Sequence, residues 1–536
     1  MKRITLIIAA VALAAGFSSR IAAQNPYLPL WETIPDGEPY VFEDPDTPGK
    51  YRVYIYGSHD RLITAYCGLD QVVWSAPVED LSRWRFDGVI FESKKDANGN
   101  LLHEDGRGDV LYAPDVAETK DENGRKVYYL YPNVQNRGRG NLVAKSYRPD
   151  GPFEVCNWSD TDPARTVGPF AFDPAAFVDD DGRAYGYWGF GVSNGAELDP
   201  ATMSTVKPGA QVVRHMVGGY REDNTFRFYE ASSIRKIKDK YVFIYSRTTN
   251  EGEFGLPSSN YTLAYAFSNN PLGPWTYGGT IIDGRGREKR ADGSTVATAT
   301  PNGNTHGSIC EINGKWYVFY HRQAGTDEYS RQAMVAPIDV EVVEGESGYV
   351  RISEAEFTSE GFATDGLDPL QRCPAGIACY MTGPTPAWQE YPKVHYSGSH
   401  TNVIYADEGY SLEDPYDPAY NRSQMVNNTD GSVVGYKYFN LSKTFGRRNL
   451  SLILGYIPEG VAGRMEVWLD RPCAEDGGVK VGSFKIPSKS GDGNVKTARI
   501  KVRKMKHFNG KHALFFVFSS PTQGESLCTL EDFHFE

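Results

Sequence analysis

The chain has 536 residues, of which 40% are hydrophobic and 23% charged, which is enough for one large domain and a smaller one. Its 55 Gly and 32 Pro supply many turns, yet the composition lies far from that of collagen or of a disordered chain. The net charge of −12 argues against a nucleic-acid-binding protein, because phosphates attract basic surfaces.

The first 23 residues have the pattern of a signal peptide. Lys2 and Arg3 precede an apolar run over residues 4–17, and Ala22 and Ala23 supply the small residues of a cleavage site. The run is too short to cross a bilayer, and no later stretch of about 18 apolar residues follows. We therefore expect a secreted or periplasmic protein without a membrane span.

Five segments between residues 49 and 320 share one pattern. In each, a turn residue and a base precede alternating apolar or aromatic residues, and an aromatic residue ends the segment. Such alternation is typical of strands that follow a hairpin tip. The five bases are Lys50, Arg125, Arg183, Lys240 and Lys315. The repeat predicts an all-β fold with a five-bladed β-propeller over residues 24–370, and coincidental hairpins in a β-sandwich are the alternative.

A polar residue stands at the start of a short segment upstream of each hairpin. These segments would be the innermost strands of the blades, so their first residues would converge on the propeller axis. The polar residues are Glu38, Asp115, Asp173, Glu230 and His306. Crowded carboxylates repel one another, which raises some pKa values and leaves others low, as acid and base catalysis at a glycosidic bond requires. Any one of these residues alone would more often end a strand or cap a turn.

With these residues in place, the sequence resembles glycoside hydrolase family 43 over roughly residues 25–370. The matching motifs are Asn25-Pro26, Tyr112-Ala113-Pro114-Asp115-Val116, Phe172-Asp173-Pro174, Asp179-Asp180-Asp181-Gly182, Tyr229-Glu230-Ala231-Ser232, His306-Gly307-Ser308-Ile309, Tyr320-His321-Arg322 and Arg331-Gln332. The resemblance implies an inverting propeller enzyme that releases arabinofuranosyl or xylosyl units from plant cell-wall polysaccharides or oligosaccharides.

The resemblance also implies roles for single residues. Glu230 would be the general acid, and Asp173 would orient it and raise its pKa. His306 would lie on the propeller axis and help to hold a structural calcium ion, usually through water, and no organic cofactor is expected. Arg331 would lie near the sugar, and Asp115, at the start of an innermost strand, would contact the substrate.

The general base is open between two residues. The family has an Asp followed by Pro in the first blade, whereas this chain reads Pro35-Asp36-Gly37-Glu38-Pro39. Both carboxylates would project from the same face of a strand. Register with the other innermost strands favours Glu38. The shorter side chain of Asp36 leaves space for the attacking water and slightly favours Asp36, with Glu38 then binding a sugar hydroxyl.

Further candidates lie outside the innermost strands. His59 follows a strand end and would line the mouth of the cavity as a substrate-binding residue. The acidic run 179–181 beside Gly182 is explained better by a turn than by a metal site. His321 is expected to be a packed blade residue. Cys373 and Cys379 are close enough in sequence to bridge, and the odd total of seven cysteines leaves at least one unpaired within the chain.

The last third of the chain predicts a second domain. Pro and Gly cluster over residues 371–391, which we interpret as a linker, and residues 392–536 contain short strands typical of a β-sandwich. The segments 513–518 and 530–535 resemble those of a family 6 type carbohydrate-binding module. Tyr436, Tyr438 and Phe439 are candidates for stacking on a sugar, although core packing explains them equally well.

Two other functions compete with the inverting glycosidase. A sugar-binding propeller without catalysis is favoured by the altered first-blade motif and opposed by the presence of both Glu230 and Asp173. A retaining fructan-type hydrolase is less favoured, because the first blade lacks the nucleophile motif of those enzymes. The sequence leaves open the pentose, the choice between exo and endo action, and the oligomeric state.

Overall fold

The computed structural model describes residues 23–62, 65–136, 138–299, 304–325, 328–384, 401–405, 409–489 and 493–536. Within these ranges the chain is almost wholly β-structure, which confirms the predicted class. Its helices are short 3-10 turns at Glu253–Gly255, Ala375–Ile377, Leu441–Lys443 and Arg503–His507. None of the helices in the described part of the chain is long and apolar enough to cross a membrane. The predicted signal peptide lies outside the described residues, apart from Ala23.

Five antiparallel sheets follow one another along the chain and form the blades of the propeller. Blade one consists of β1 (Glu38–Glu43), β2 (Tyr51–Tyr56), β3 (Asp70–Pro77) and β4 (Arg85–Glu92). Blade two consists of β5 (Tyr112–Lys120), β6 (Lys126–Asn133), β7 (Ala144–Ser146) and β8 (Glu154–Val155). Blade three consists of β9 (Ala175–Val178), β10 (Ala184–Trp188), β11 (Asn194–Leu198) and β12 (Val213–Arg214).

Blades four and five complete the ring and carry two small hairpins. Blade four consists of β13 (Phe228–Ile237), β14 (Lys240–Arg247), β15 (Thr262–Ser268) and β16 (Thr276–Asp283). A hairpin follows, made of β17 (Arg287–Lys289) and β18 (Thr295–Ala297). Blade five consists of β19 (Ser308–Ile312), β20 (Lys315–Gln323) and β21 (Arg331–Ile338). A second hairpin is made of β22 (Val340–Val342) and β23 (Val350–Ile352).

The first strands of the blades surround a common axis. Strand β1 contacts β5, β5 contacts β9, β9 contacts β13, β13 contacts β19, and β19 contacts β1. The five segments with the repeated pattern coincide with the second strands β2, β6, β10, β14 and β20, so the predicted five-bladed propeller is confirmed. As predicted, the acidic run between β9 and β10 forms a turn, in which Gly182 N–H donates to Asp179 O at 2.9 Å.

Asn25 joins the start of the described chain to the last blade. Its Nδ2 donates to Val335 O at 2.7 Å and to Thr358 O at 3.0 Å, and its Oδ1 accepts from Val335 N–H at 2.9 Å. Apolar side chains of blades one and five, including Trp74 and Phe319, pack in one buried cluster beside this contact. These contacts close the ring between its first and fifth blades.

The C-terminal part of the chain is a two-sheet sandwich. One sheet contains β24 (Cys373–Pro374), β26 (Asn402–Tyr405), β27 (Ser423–Val426), β29 (Ser451–Pro458), β32 (Lys496–Lys501) and β34 (Cys528–Phe535). The other contains β25 (Tyr380–Thr382), β28 (Val433–Asn440), β30 (Gly463–Leu469), β31 (Val479–Ile486) and β33 (Lys511–Ser519). Strands β24 and β25 lie in the interval predicted to be a linker, so part of that interval belongs to the sandwich.

Several side chains of the sandwich differ from their expected roles. Tyr436 and Phe439 are fully buried in the core between the sheets, and the hydroxyl of Tyr438 donates to both carboxylate oxygens of Glu356. The half-buried ring of Tyr438 packs against the cluster that contains Phe515, and the Lys511 ammonium lies over it, 5.2 Å from its centroid, so these contacts compete with a sugar for its faces. Cys373 and Cys379 are both free buried thiols, since they face different apolar clusters and do not bridge.

Arg322 of β20 links the propeller to the sandwich. The side chain is fully buried, and its Nη1 and Nη2 donate to the carbonyl oxygens of Ala378 at 2.8 Å and Gly376 at 2.6 Å. Its Nε donates to Gln332 Oε1 at 3.1 Å. A propeller guanidinium thus depends on backbone acceptors from the segment that enters the sandwich.

Candidate active site

A cavity of about 480 Å³ opens at one end of the propeller axis. Three of the predicted carboxylates line it, namely Asp36, Asp173 and Glu230, together with Arg331 and His306. Their side chains are all nearly inaccessible to solvent. Sequence positions almost 300 residues apart are therefore brought into one desolvated site.

The backbone at each of the three carboxylates is irregular, and this irregularity aims the side chains. Asp36 and Asp173 have φ angles of 59° and 45° and lie just before strands β1 and β9. Glu230 lies in β13 at a register shift next to Ala231, whose φ is 68°. Left-handed residues and bulges are costly in a strand and recur at functional sites, where they redirect a side chain.

Asp36 is held as a carboxylate by two donors. Nη1 of Arg331 lies 3.0 Å from Oδ1, and the hydroxyl of Ser58 donates to Oδ2 at 2.6 Å. Burial alone would raise the pKa of Asp36, but the Arg331 guanidinium, together with the neighbouring histidines and the Ser58 hydrogen bond, outweighs burial and lowers it. Asp36 is therefore ionised at neutral pH and has the charge of a general base.

Arg331 is itself fixed by several contacts. Its Nε and Nη2 each donate to one oxygen of Asp60 at 2.9 Å, and its Nη1 also donates to Asn304 Oδ1 at 3.1 Å. The guanidinium lies over the ring of Tyr66, 4.7 Å from the centroid. Such a bidentate pair stabilises one orientation of the guanidinium plane.

Glu230 has the opposite electrostatic environment. Burial and the negative charge of Asp36 raise the pKa of Glu230 to about 8. Its closest polar neighbour is Nδ2 of Asn304, 3.4 Å from Oε1. Glu230 therefore holds a proton at neutral pH, as a general acid must.

Asp173 lies beside Glu230 and titrates together with it. Nδ2 of Asn133 donates to its Oδ1 at 2.6 Å, and the N–H of Ala231 donates to its Oδ2 at 3.1 Å. Burial and the negative charge of Glu230 raise the pKa of Asp173. Because two buried carboxyls cannot both ionise easily, the pair retains a proton at neutral pH.

His306 lies on the axis between two acidic side chains. Its Nδ1 is 3.9 Å from Asp173 Oδ2, and its Nε2 is 4.0 Å from Glu38 Oε1, a buried oxygen without a hydrogen-bond partner among the described residues. Burial lowers the pKa of His306 to about 4, so its ring is neutral.

In the described part of the chain, no group of three or more His, Cys, Asp or Glu side chains could hold a metal ion. Calcium takes six to eight oxygen ligands, so these residues alone do not fit it.

Three predicted site residues do not line the cavity. Glu38 is fully buried and accepts from Nη2 of Arg235 at 2.9 Å, and burial raises its pKa to about 8. Asp115 accepts from the hydroxyl of Tyr40 at 2.6 Å and from the N–H of Ala176 at 2.8 Å. The two partners of Asp115 lie in the adjacent innermost strands β1 and β9, whereas Arg235 lies in β13, which is not next to β1 in the ring, so each carboxylate links innermost strands of different blades.

His59 also differs from its predicted position. Its two ring nitrogens lie 2.9 Å from Asp70 Oδ1 and 3.2 Å from Glu32 Oε1, behind the wall of the cavity. Hydrogen bonds to these carboxylates outweigh burial and raise the pKa of His59 to about 9. The ring is therefore held by these acids and by Arg61, whose Nε lies 2.7 Å from its Nε2, and it does not line the cavity.

Sequence reasoning missed three polar residues that support the carboxylates, namely Ser58, Asn133 and Asn304. None belongs to a motif by itself, and each acts on a residue far away in sequence. His321 is fully buried as predicted, but it also lies within reach of both Asp36 and Asn304. Its Nδ1 is 3.3 Å from the backbone nitrogen of Asp36, and its Nε2 is 2.8 Å from Asn304 O.

The site thus combines an ionised carboxylate and a protonated carboxyl in one cavity shielded from water. This is the pairing of groups that can remove a proton from water and donate one to a leaving oxygen. The pKa values of the two groups are displaced in opposite directions by their surroundings, with that of Asp36 lowered and that of Glu230 raised.

Comparison with known proteins gives consistent matches. The model described as Glycosyl hydrolases family 43 matches residues 41–341. A xylosidase/arabinosidase of Thermoclostridium stercorarium is 36% identical over 440 residues, covering 77% of this chain and 82% of the relative. An arabinoxylan arabinofuranohydrolase of Paenibacillus polymyxa is 26% identical over 525 residues, covering 93% and 71%. A solved family 43 arabinoxylan arabinofuranohydrolase from Bacillus subtilis, in complex with cellotetraose, is 22% identical with a TM-score of 0.45, covering 96% of this chain and 99% of that one.

Proposed function

Because this chain belongs to glycosyl hydrolase family 43 and is an O-glycosyl hydrolase, we propose that it releases arabinofuranosyl or xylosyl units with inversion at the anomeric carbon. The observation that carries the proposal is the pair of oppositely shifted carboxyls, Asp36 and Glu230, in one cavity. Inverting enzymes need one group of each kind on opposite sides of the scissile bond.

The proposed reaction is a single displacement. Asp36 removes a proton from a water molecule, whose oxygen attacks the anomeric carbon. Glu230 donates its proton to the glycosidic oxygen as the bond to the leaving group breaks. The products are a sugar of inverted configuration and a free hydroxyl on the leaving group, and proton exchange with solvent restores both carboxyls.

Two further groups prepare the catalytic carboxyls for these steps. Arg331 keeps Asp36 ionised, because its Nη1 lies 3.0 Å from the carboxylate. Asp173 shares the burial of Glu230 and repels its negative charge, which favours the protonated form of the acid before the reaction. We assign Arg331 and Asp173 to positioning and pKa control.

The substrate is proposed from the relatives. Their names describe xylosidases, arabinosidases and arabinoxylan arabinofuranohydrolases, which act at pentose units. A neutral carbohydrate suits a cavity whose cation, Arg331, is already neutralised by Asp60 and Asp36. We propose a plant polysaccharide or oligosaccharide with terminal arabinofuranosyl or xylosyl groups as the substrate.

Three expectations from the sequence stay predictions. Export by a signal peptide is checked by N-terminal sequencing of the protein recovered outside the cytoplasm. A calcium ion at His306 would need water molecules for most of its ligands, and a lower melting temperature in EDTA that calcium restores would support it. A carbohydrate-binding role for the sandwich would need a surface other than Tyr436 and Phe439, and retardation of the protein in gels that contain xylan or arabinan would support it.

The test of the proposed function is a panel of aryl glycosides of arabinofuranose, xylopyranose and galactofuranose, followed by NMR on the substrate that is turned over. We expect the first sugar released to have the inverted anomeric configuration. Retention would contradict the single displacement. Absence of turnover on all three glycosides and on arabinan and xylan would favour a sugar-binding propeller instead.

A further inference from the structure

Four aromatic side chains form a continuous cluster along one side of the cavity, and we call them the aromatic ledge. They are Phe172, Phe190, Tyr220 and Tyr229. The ring centroid of Phe190 lies 5.0 Å from those of Phe172 and Tyr229, and the centroids of Tyr220 and Tyr229 are 5.1 Å apart. Three of the rings line the cavity, and Phe190 extends the ledge outward.

Phe190 is open to solvent, although it is apolar. The residue is 44% exposed, and its contacts with Phe172 and Tyr229 are tilted or edge-on, with interplanar angles of 52° and 65°. Neither neighbour therefore stacks in parallel on the ring, and nearly half of the residue is open to solvent. Packing within the protein does not account for a phenyl ring placed in this way at the rim of a cavity.

The loop that carries Phe190 is tied to the catalytic strands. Gly189 N–H donates to Phe172 O at 2.7 Å, and Gly191 N–H donates to Tyr229 O at 2.6 Å. Phe172 and Tyr229 directly precede Asp173 and Glu230 in the sequence. The position of Phe190 is thus fixed relative to both carboxyls by one hydrogen bond on each side.

The two glycines are required for this arrangement. Gly189 has a φ of 142°, and a Cβ there would lie 1.9 Å from Val192 O. Gly191 has a φ of 67°, and its Cβ would lie 3.0 Å from Cε1 of Tyr220. Because other residues would clash or be strained at these positions, the loop conformation that exposes Phe190 depends on both glycines.

We propose that the aromatic ledge is the subsite for the leaving group, and that it binds a pyranose ring of the polysaccharide chain by stacking. This inference rests on the proposed function, in which Glu230 protonates the oxygen that departs with the leaving group. The surface next to Glu230 is therefore where the leaving group lies. The C–H face of a pyranose is apolar and flat, so it packs on an aromatic ring as another apolar surface does.

Arg221 adds a polar edge to the ledge. Its guanidinium lies 5.2 Å from the ring centroid of Tyr220, and its Nε donates to the Tyr220 hydroxyl at 2.9 Å. The remaining guanidinium N–H groups can donate to the hydroxyls of a sugar stacked on the ledge. Flat aromatic rings beside such donors favour a ligand that is a neutral chain of pyranose units, such as a xylan backbone.

The test compares Phe190→Ala with the wild type on an arabinoxylo-oligosaccharide and on the methyl glycoside of the sugar that the enzyme releases. Stacking on an aromatic ring contributes about 0.5–1.5 kcal/mol, so we expect KM for the oligosaccharide to rise roughly 2- to 10-fold. The methyl glycoside has no pyranose leaving group, and its kcat/KM should not change. Phe190→Tyr keeps the ring and should behave as the wild type.

A matched control is Phe445→Ala, because Phe445 is 53% exposed but lies in the sandwich. An equal loss on both substrates, or no loss on the oligosaccharide, would overturn the inference. Calorimetric titration with xylotetraose in a Glu230→Gln background separates this inference from the proposed function. If the wild type turns over none of the substrates but xylotetraose binding weakens with Phe190→Ala, the hydrolase is rejected and the ledge is retained, whereas equal binding or no binding at millimolar xylotetraose would reject the ledge.

Discussion

Arg331 and Asp60 form a bidentate ion pair in the wall of the cavity, with Nε donating to Oδ2 and Nη2 donating to Oδ1, each at 2.9 Å. The backbone N–H of Arg331 donates to the same Oδ2 at 3.0 Å. These contacts fix the guanidinium plane and hold its Nη1 at 3.0 Å from Asp36. Asp60 therefore influences the base through Arg331.

Arg331→Met should raise the pKa of Asp36, because the largest of the effects that oppose burial, the positive charge of Arg331, is lost. The acidic limb of the kcat/KM profile then moves to higher pH, and activity on the acid side falls about tenfold for each unit of that shift. Arg331→Lys keeps a charge without the bidentate geometry and should move the limb less. Identical shifts in both variants would contradict the electrostatic role, and thermal unfolding curves show whether each variant is folded.

Glu230→Gln should abolish proton donation while keeping the shape of the side chain. General acid catalysis contributes about 10²- to 10⁴-fold, so kcat on natural glycosides should fall by that factor. Aryl glycosides with good leaving groups need less protonation and should lose less. Asn304→Ala, which removes the amide 3.4 Å from Glu230, is a milder comparison. An equal loss on both kinds of substrate would argue against the acid role.

The carboxyl pair keeps a proton partly because two negative charges in the same site would repel each other. Asp173→Asn removes one of these charges and should therefore lower the pKa of Glu230. The alkaline limb of the pH profile reports loss of the proton from the acid, so it should move to lower pH. The amide can still accept from Asn133, which protects the local structure. A profile with an unmoved alkaline limb would reject the coupling.

The identity of the base is tested by azide rescue. Asp36→Ala opens space for azide at the position of the attacking water, so added azide should restore turnover and give a glycosyl azide of inverted configuration. Glu38→Gln, which can still accept from Arg235, is the matched control and should retain most activity without azide. Loss of activity in Glu38→Gln together with rescue of Glu38→Ala by azide would transfer the base to Glu38.

The propeller could be predicted from the sequence because its signal is local. Alternation after each turn residue defines the second strand of every blade, and the same register places Asp173, Glu230 and His306 around the cavity. Register favoured Glu38 as the base, however, whereas Asp36 is the carboxylate that lines the cavity. Asp36 has a φ of 59°, and this left-handed residue turns the chain so that Glu38, two residues later, is buried against Arg235.

The residues that support the catalytic carboxyls could not be predicted, because their contacts join distant parts of the chain. Asp60 and Arg331 are separated by 271 positions, and no spacing rule connects them. The contacts of His59 could not be predicted either, although its partners are closer in sequence. His59 is adjacent to Asp60, yet the two side chains diverge, so that Asp60 contacts Arg331 while His59 contacts Asp70.

The buried guanidinium of Arg322 limits how this chain could be recombined with other modules during evolution or engineering. Its acceptors, the carbonyls of Gly376 and Ala378, belong to the segment that enters the sandwich. A hydrogen bond to a charged group contributes about 1.5–3 kcal/mol, and a replacement domain that lacked these carbonyls would leave the buried cation with Gln332 Oε1 as its remaining acceptor among the described residues. A fusion that exchanges the C-terminal domain must therefore keep residues 376–378 or replace Arg322 as well.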